Sequence, residues 1–182
     1  MSNTFKDYIL QPNDQLMGLT QLVNGFDQNG QACEINVVEE QPLTIFLNGQ
    51  EIVTAMTIGD YPQYLALGFL KNQGMLTDNE NILGIDYDDE LQTVVVRTDG
   101  KTIYEEKLKK KTRTSGCAVG TVFGDMMEGL ENLKLPNAEF KVSWLYELSN
   151  IINQTPSLYL KAGAIHGTVL CCKNKPLVYM ED

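Results

Sequence analysis

Residues 42–54, PLTIFLNGQEIVT, decide the fold class. Two apolar runs flank Asn48-Gly49. A two-residue hairpin turn needs positive φ at its centre, which Asn and Gly tolerate and branched residues do not. The dipeptide between such runs therefore predicts a β-hairpin. The next stretch, 61–73 (YPQYLALGFLKNQ), reads as a helix. Pro62 has its φ preset for the first turn, where its missing N–H costs nothing, and Gly74 stands just past the end. Tyr64, Leu65, Gly68 and Phe69 are spaced to share its inner face.

Upstream, residues 1–33 carry little pattern beyond turn signals at Asn24-Gly25 and Asn29-Gly30. Downstream, 91–96 (LQTVVV) and 101–108 (KTIYEEKL) are predicted to form a second hairpin closed by Asp99-Gly100. Asp86, Asp88, Asp89 and Glu90 lack the spaced ligands and glycine of a calcium loop and read as a solvated turn. Residues 109–124 (KKKTRTSGCAVGTVFG) hold too many Lys, Thr and Gly for a core element and are expected as a loop. A short helix over 122–131 is expected to follow, ended by Pro136. Residues 142–153 (VSWLYELSNIIN) show helical spacing through Val142, Leu145, Leu148 and Ile152. Residues 168–172 and 177–180 read as a third strand pair around Asn174. Trp144 and the Met126-Met127 pair are read as core.

The sum is an α+β chain. A β-rich N-terminal domain occupies 1–110, a cysteine loop or linker 111–123, and an α/β part 124–182. A strand reaching almost to Asp182 would be poorly covered, so either the α/β part is truncated at the C-terminus or the fold closes in an unusual way.

Composition excludes several functions. With a net charge of −10 over 182 residues, the chain has no general affinity for nucleic acid or for an anionic membrane surface. There is no long apolar run and no signal-peptide pattern, so a cytoplasmic protein is expected. The four cysteines, Cys33, Cys117, Cys171 and Cys172, include no C-x-x-C pair. Free thiols in a reducing compartment follow. One histidine gives no zinc site, and Gly167-Thr168 after His166 departs from the H-x-E of zinc deaminases. Cys171 and Cys172, adjacent on a strand, should point to opposite faces, with one buried.

Cys117 draws attention because of its surroundings. It sits in Ser115-Gly116-Cys117-Ala118-Val119-Gly120, after Lys101, Lys107, Lys109, Lys110, Lys111 and Arg113, which are six of the chain's 14 basic residues. Nearby positive charge favours the thiolate, which is the nucleophile. The same cations would attract an anionic ligand. Two readings stay open on the residues alone: a reactive thiol, or an inert loop cysteine beside lysines that guard a strand edge. His166, in Ala162-Gly163-Ala164-Ile165-His166-Gly167, is likewise open between a structural histidine and one that handles protons or holds an anion.

Five segments, in order, resemble the formate dehydrogenase accessory sulfurtransferase family, FdhD. Glu40-Gln41-Pro42-Leu43-Thr44-Ile45 with Asn48-Gly49 is similar to its E-x-P-L-x-I-x-x-N-G, and Gly68-Phe69-Leu70 with Gly74 to its G-F-L-x-x-E-G. The Cys117 loop looks like its cysteine loop. Ala162–His166 is similar to T-G-G-x-H, and Glu181-Asp182 to the E-D before its G-R-H-N segment. The resemblance implies a sulfur carrier. Cys117 would take sulfane sulfur from a cysteine desulfurase as a persulfide and pass it to the molybdenum cofactor, a bis(molybdopterin guanine dinucleotide), for formate dehydrogenase. His166, Lys111 and Arg113 would help bind that anionic cofactor. It also implies a cytidine-deaminase-like α/β part without the zinc motif, and a homodimer.

Two departures follow from the same comparison. Gly120 stands where many members have a second cysteine, so Cys117 would act alone. The G-R-H-N segment would begin after Asp182, where the sequence ends, so a fragment lacking part of the cofactor site is expected. The alternatives are a non-catalytic cofactor-binding chaperone for formate dehydrogenase maturation and a nucleotide-binding enzyme of deaminase ancestry.

Overall fold

Asn48 takes a φ of 53° at the tip of the first predicted hairpin in the computed structural model. Its strands are β3 (Gln41–Leu47) and β4 (Gln50–Thr57), paired antiparallel with a bulge after Ile45. The structure describes residues 8–16, 18–76, 81–100 and 134–182, with the backbone alone at 111–113 and 121–123. Their contacts form two compact units: Gln41–Pro136, and Met1–Glu40 together with Asn137–Asp182. These units differ from the expected division at residues 110 and 123. The difference has a physical source in the second unit, where Tyr8, Ile9 and Leu10 meet the last strand.

In the unit Gln41–Pro136, a four-stranded sheet runs β4-β3-β6-β5, with β5 at Ile82–Asp88 and β6 at Thr93–Thr98. β6 lies parallel to β3 on one side and antiparallel to β5 on the other. The sequence reading pairs this stretch with 101–108 across Asp99-Gly100. Both edges of β6 are occupied, by β3 and β5, and residues 101–108 lie outside the described residues. Asp86 and Asp88 lie on β5 rather than in a turn, and Asp86 pairs with Arg97 of β6. Of these four acidic residues only Asp89 and Glu90 lie in the turn, which spans 89–92.

Alternation puts Leu43, Ile45 and Leu47 of β3 and Val94 and Val96 of β6 on one buried face. Helix α1 (Pro62–Asn72) covers it, with Pro62 in its first turn and Gly74 at φ +65° beyond it, as expected. The buried residues on the helix are Pro62, Ala66 and Leu70. The predicted inner face was one position off: Tyr64 and Gly68 point to solvent, and Leu65 and Phe69 only flank the core. Each fully buried Leu, Ile or Val here contributes about 1.5–3 kcal/mol. A two-strand pair, β7 (Lys111–Arg113) with β8 (Thr121–Phe123), belongs to the same unit. The expected loop is therefore shorter than 109–124, and Val122 and Phe123 are strand, not helix. Residues 124–133, with Met126 and Met127, lie outside the described residues.

The other unit opens with a hairpin, β1 (Thr20–Phe26) and β2 (Ala32–Val38). Asn29-Gly30 forms its turn, where the Asp27 carboxylate accepts from the N–H groups of Asn29 and Gln31, both at 2.8 Å. These bonds hold the Asp27 pKa below its usual range. Asn24-Gly25, expected as a turn, lies inside β1 and pairs with Cys33 and Glu34. Strands β9 (Gly167–Cys172) and β10 (Lys175–Glu181) form the expected third pair around Asn174. The free edge of β10 is taken by the N-terminal segment: Ile9 N–H donates to the Leu177 carbonyl at 2.8 Å, and Tyr179 N–H to that of Leu10 at 2.9 Å. That strand pairing covers the edge that the sequence reading left bare.

Helix α2 (Val142–Ile152) matches its predicted span, but of its apolar stripe only Leu148 is buried. Val142 and Leu145 are exposed, and Trp144 is half-buried under Lys141 at 5.7 Å. A short helix, α3 (Leu158–Ala162), leads into β9. No helix among the described residues is long and apolar enough to cross a membrane.

Candidate functional site

Lys111 stands opposite Phe123, and Arg113 opposite Thr121. Cys117 belongs to the connection 114–120 and lies outside the described residues. The pairing of Arg113 with Thr121 joins the two ends of that connection. Lys111 and Arg113 thus belong to the same hairpin as the thiol. His166 belongs to the other unit.

The three described cysteines are free thiols. Neither Cys171 nor Cys172 is fully buried, which corrects the expectation that one would be. Burial nevertheless pushes the Cys171 thiol above its ordinary pKa, and its Sγ lies 3.7 Å from the Val169 carbonyl. A raised pKa is the reverse of what a nucleophilic thiol needs.

His166 is exposed and ends the loop between α3 and β9. Its backbone N–H donates to the Asp182 carbonyl at 3.1 Å, and the Asp182 N–H returns a bond to its carbonyl at 3.0 Å. The loop leaves α3 through Gly163 at φ +67° and Ala164 at φ +52°. Glycine adopts such angles freely. For alanine the left-handed region costs about 1–2 kcal/mol.

Behind this loop lies a buried polar cluster that sequence reasoning missed. Glu181, 2% exposed, sits at the end of β10. Its Oε2 accepts from Leu158 N–H at 2.7 Å and its Oε1 from Tyr159 N–H at 3.2 Å. Ser157, the residue before α3, accepts from Leu160 N–H at 3.3 Å. The unpaired N–H groups that open a helix are thus satisfied by two side chains. Tyr179 donates its phenolic hydrogen to Oε1 of Glu181 at 2.8 Å. Thr155, fully buried, donates to the Ile151 carbonyl at 2.9 Å and therefore accepts from Tyr8 at 2.9 Å. Ser157 is recognisable in sequence as a helix start. No local signal marks Glu181, whose partners stand 22 and 23 residues earlier.

A model of the FdhD/NarQ family matches residues 38–182. The sulfur carrier protein FdhD of Wolinella succinogenes is 25% identical over 158 residues, covering 80% of this chain and 51% of that protein. The protein of the same name from Bacillus subtilis is 26% identical over 152 residues, covering 82% and 58%. A crystal structure described as that of a formate dehydrogenase accessory protein from Desulfotalea psychrophila superposes with a TM-score of 0.63 at 20% identity, covering 89% of this chain and 60% of the other. That likeness supports the mixed, strand-dominated α+β fold. The chain spans a little over half the length of these relatives. Because the family model spans residues 38–182, from the end of β2 past the end of β10 and well over half of the chain, the chain belongs to the FdhD/NarQ family.

Proposed function

We propose that this chain is a sulfur carrier of the persulfide sulfurtransferase type, working through Cys117. The Cys117 thiolate attacks the outer sulfur of a persulfide on a cysteine desulfurase. The desulfurase cysteine leaves as a thiolate, and Cys117 keeps the transferred sulfur as its own persulfide. The carrier then gives that sulfur up to the molybdenum cofactor, a bis(molybdopterin guanine dinucleotide), for use by formate dehydrogenase: a thiol reductant supplies the two electrons that bring the sulfane sulfur to the sulfide level, and Cys117 leaves as a thiolate. The cofactor is substrate here, not a resident group.

The observation that carries this reading is the family match across the cysteine connection, with curated relatives that bear the name sulfur carrier protein. The residues fit the chemistry. Lys111 and Arg113 stand on the strand that leads into the connection. Cations there favour a thiolate and attract the pyrophosphates of the cofactor. His166, exposed on its loop, is a further contact for an anion. Gly120 leaves Cys117 without a second loop thiol, so it acts alone. The reading also carries a cytoplasmic location, a homodimer, and a cytidine-deaminase-like relationship for the part from residue 124.

Complementation of a strain lacking its own carrier tests this. Cys117→Ala should abolish formate dehydrogenase activity, while the wild-type chain restores it. Gly120 also favours a second reading, a chaperone that holds the cofactor without covalent sulfur transfer. Restoration of activity by Cys117→Ala would decide for that chaperone.

A further inference from the structure

Residues 163–166 are fixed at both ends by one residue and its neighbour. At the start, the Glu181 carboxylate grips the first turn of α3 through Leu158 and Tyr159 N–H. At the end, the backbone of Asp182 exchanges two hydrogen bonds with that of His166. Glu181 itself stands opposite Gly167 in the β9–β10 register. The span left between α3 and β9 is set by Glu181, whose side chain holds one bank and whose strand holds the other. Within that span Ala164 sits at φ +52°, a conformation an alanine keeps only where its surroundings impose it. Glu181 is 2% exposed, so its carboxylate meets the helix and Tyr179 rather than water. Charged acceptors hold backbone N–H groups more firmly than neutral ones.

We propose that Glu181 is the positioning residue of the His166 loop. Its carboxylate clamps α3 to the end of β10, imposes the left-handed turn at Ala164, and thereby presents the His166 imidazole for an anionic ligand of the phosphate class. The clamp stands on the geometry above. The ligand rests on the proposed function, in which His166 contacts the cofactor.

The 182-residue chain contains one histidine, so its imidazole gives a single set of resonances. Glu181→Gln keeps the shape but replaces one acceptor oxygen by a donor. Glu181→Asp keeps the charge and shortens the reach by one methylene. In either variant the His166 imidazole resonances should shift, and the amide protons of Leu158 and Tyr159 should exchange faster. Affinity for inorganic pyrophosphate, followed by calorimetry, should fall about tenfold, the scale of one charged hydrogen bond lost. Tyr179→Phe removes a neighbour of the carboxylate without opening the clamp, and should leave the His166 resonances near their wild-type positions. Wild-type His166 resonances in both Glu181 variants would overturn the clamp. His166→Ala tests the ligand separately: unchanged pyrophosphate binding in that variant would overturn the role of His166 and leave the clamp standing on its resonances.

Discussion

Tyr179 and Glu181 lie on the same face of β10, two residues apart, and the phenol of the first donates to the carboxylate of the second at 2.8 Å. Both side chains are buried. Burial foremost, and then this bond and the carboxylate charge, push the Tyr179 pKa from 10.0 up to about 12.

An alkaline stability loss follows. A folded-state pKa above the unfolded one means that the fold holds the phenol proton more tightly. The stabilisation is complete below pH 10 and disappears as pH rises from 10 to about 12. Two units correspond to about 2–3 kcal/mol. Tyr61 and Tyr87 are also raised, the first chiefly by burial and then by Asp60, so the comparison must isolate Tyr179. The difference in unfolding free energy between wild type and Tyr179→Phe, measured in urea, should be constant up to pH 10. Above that it should shrink. A difference that stays flat to pH 12 would contradict the assignment.

The tethered phenol also fixes its neighbour across the strand pair. A Cβ on Gly167 would stand 2.9 Å from Cε2 of Tyr179 and 3.3 Å from its hydroxyl oxygen. The ring cannot swing aside without breaking its bond to Glu181. Gly167→Ala should therefore cost about 1–3 kcal/mol, the range for overpacking a filled site. Gly25→Ala in β1, where a Cβ meets nothing within 4 Å, is the control and should change stability little. Denaturant midpoints of the two variants check this.

Asn48 does two jobs at the tip of the β3–β4 hairpin. It takes φ 53°, and its side chain reaches β6, where Oδ1 accepts from Thr98 N–H at 2.8 Å and Nδ2 donates to Thr98 Oγ1 at 3.2 Å. Asn48→Gly should lose only the bonds, and Asn48→Ala both the bonds and the left-handed turn. Leaving the Thr98 N–H without its acceptor costs about 1–3 kcal/mol, with a further ~1 kcal/mol for alanine in the left-handed region. Thermal melts should rank wild type above Asn48→Gly, and that above Asn48→Ala.

What could be read from sequence was local. Asn48-Gly49, Asn29-Gly30, Pro62 and Gly74 act within a few residues of themselves, and each marks the turn or helix end it was expected to mark. Asn24-Gly25 misleads because a neighbouring strand holds it extended. β6 takes β5 as a neighbour through a chain reversal at residues 89–92, and the other arm expected across Asp99-Gly100 lies outside the described residues. The parallel pairing of β3 with β6 has no local signature at all. Nor does the return of Ile9 and Leu10 to the edge of β10, which joins opposite ends of the chain. The helix at 142–152 was legible in its period but not in its burial: Val142 and Leu145 have the right spacing and face solvent.

The candidate site divides in the same way. Cys117 and the basic residues before it are neighbours in sequence, so the idea of an activated thiol needs no fold. The strand pairing adds that Arg113 and Thr121 meet at the base of its connection. Glu181 was visible only as part of a motif. Its grip on α3 depends on β10 passing the start of that helix, which no pattern in either segment encodes.

In the proposed function Cys117 carries an extra sulfur atom. Incubation with a cysteine desulfurase and cysteine, followed by peptide mass spectrometry without reductant, tests it directly. The peptide that contains Cys117 should gain the mass of one sulfur atom, reversed by a thiol reductant and absent from Cys117→Ala. A gain located instead on Cys33, Cys171 or Cys172, or an unmodified Cys117 beside a persulfidated desulfurase, would contradict it.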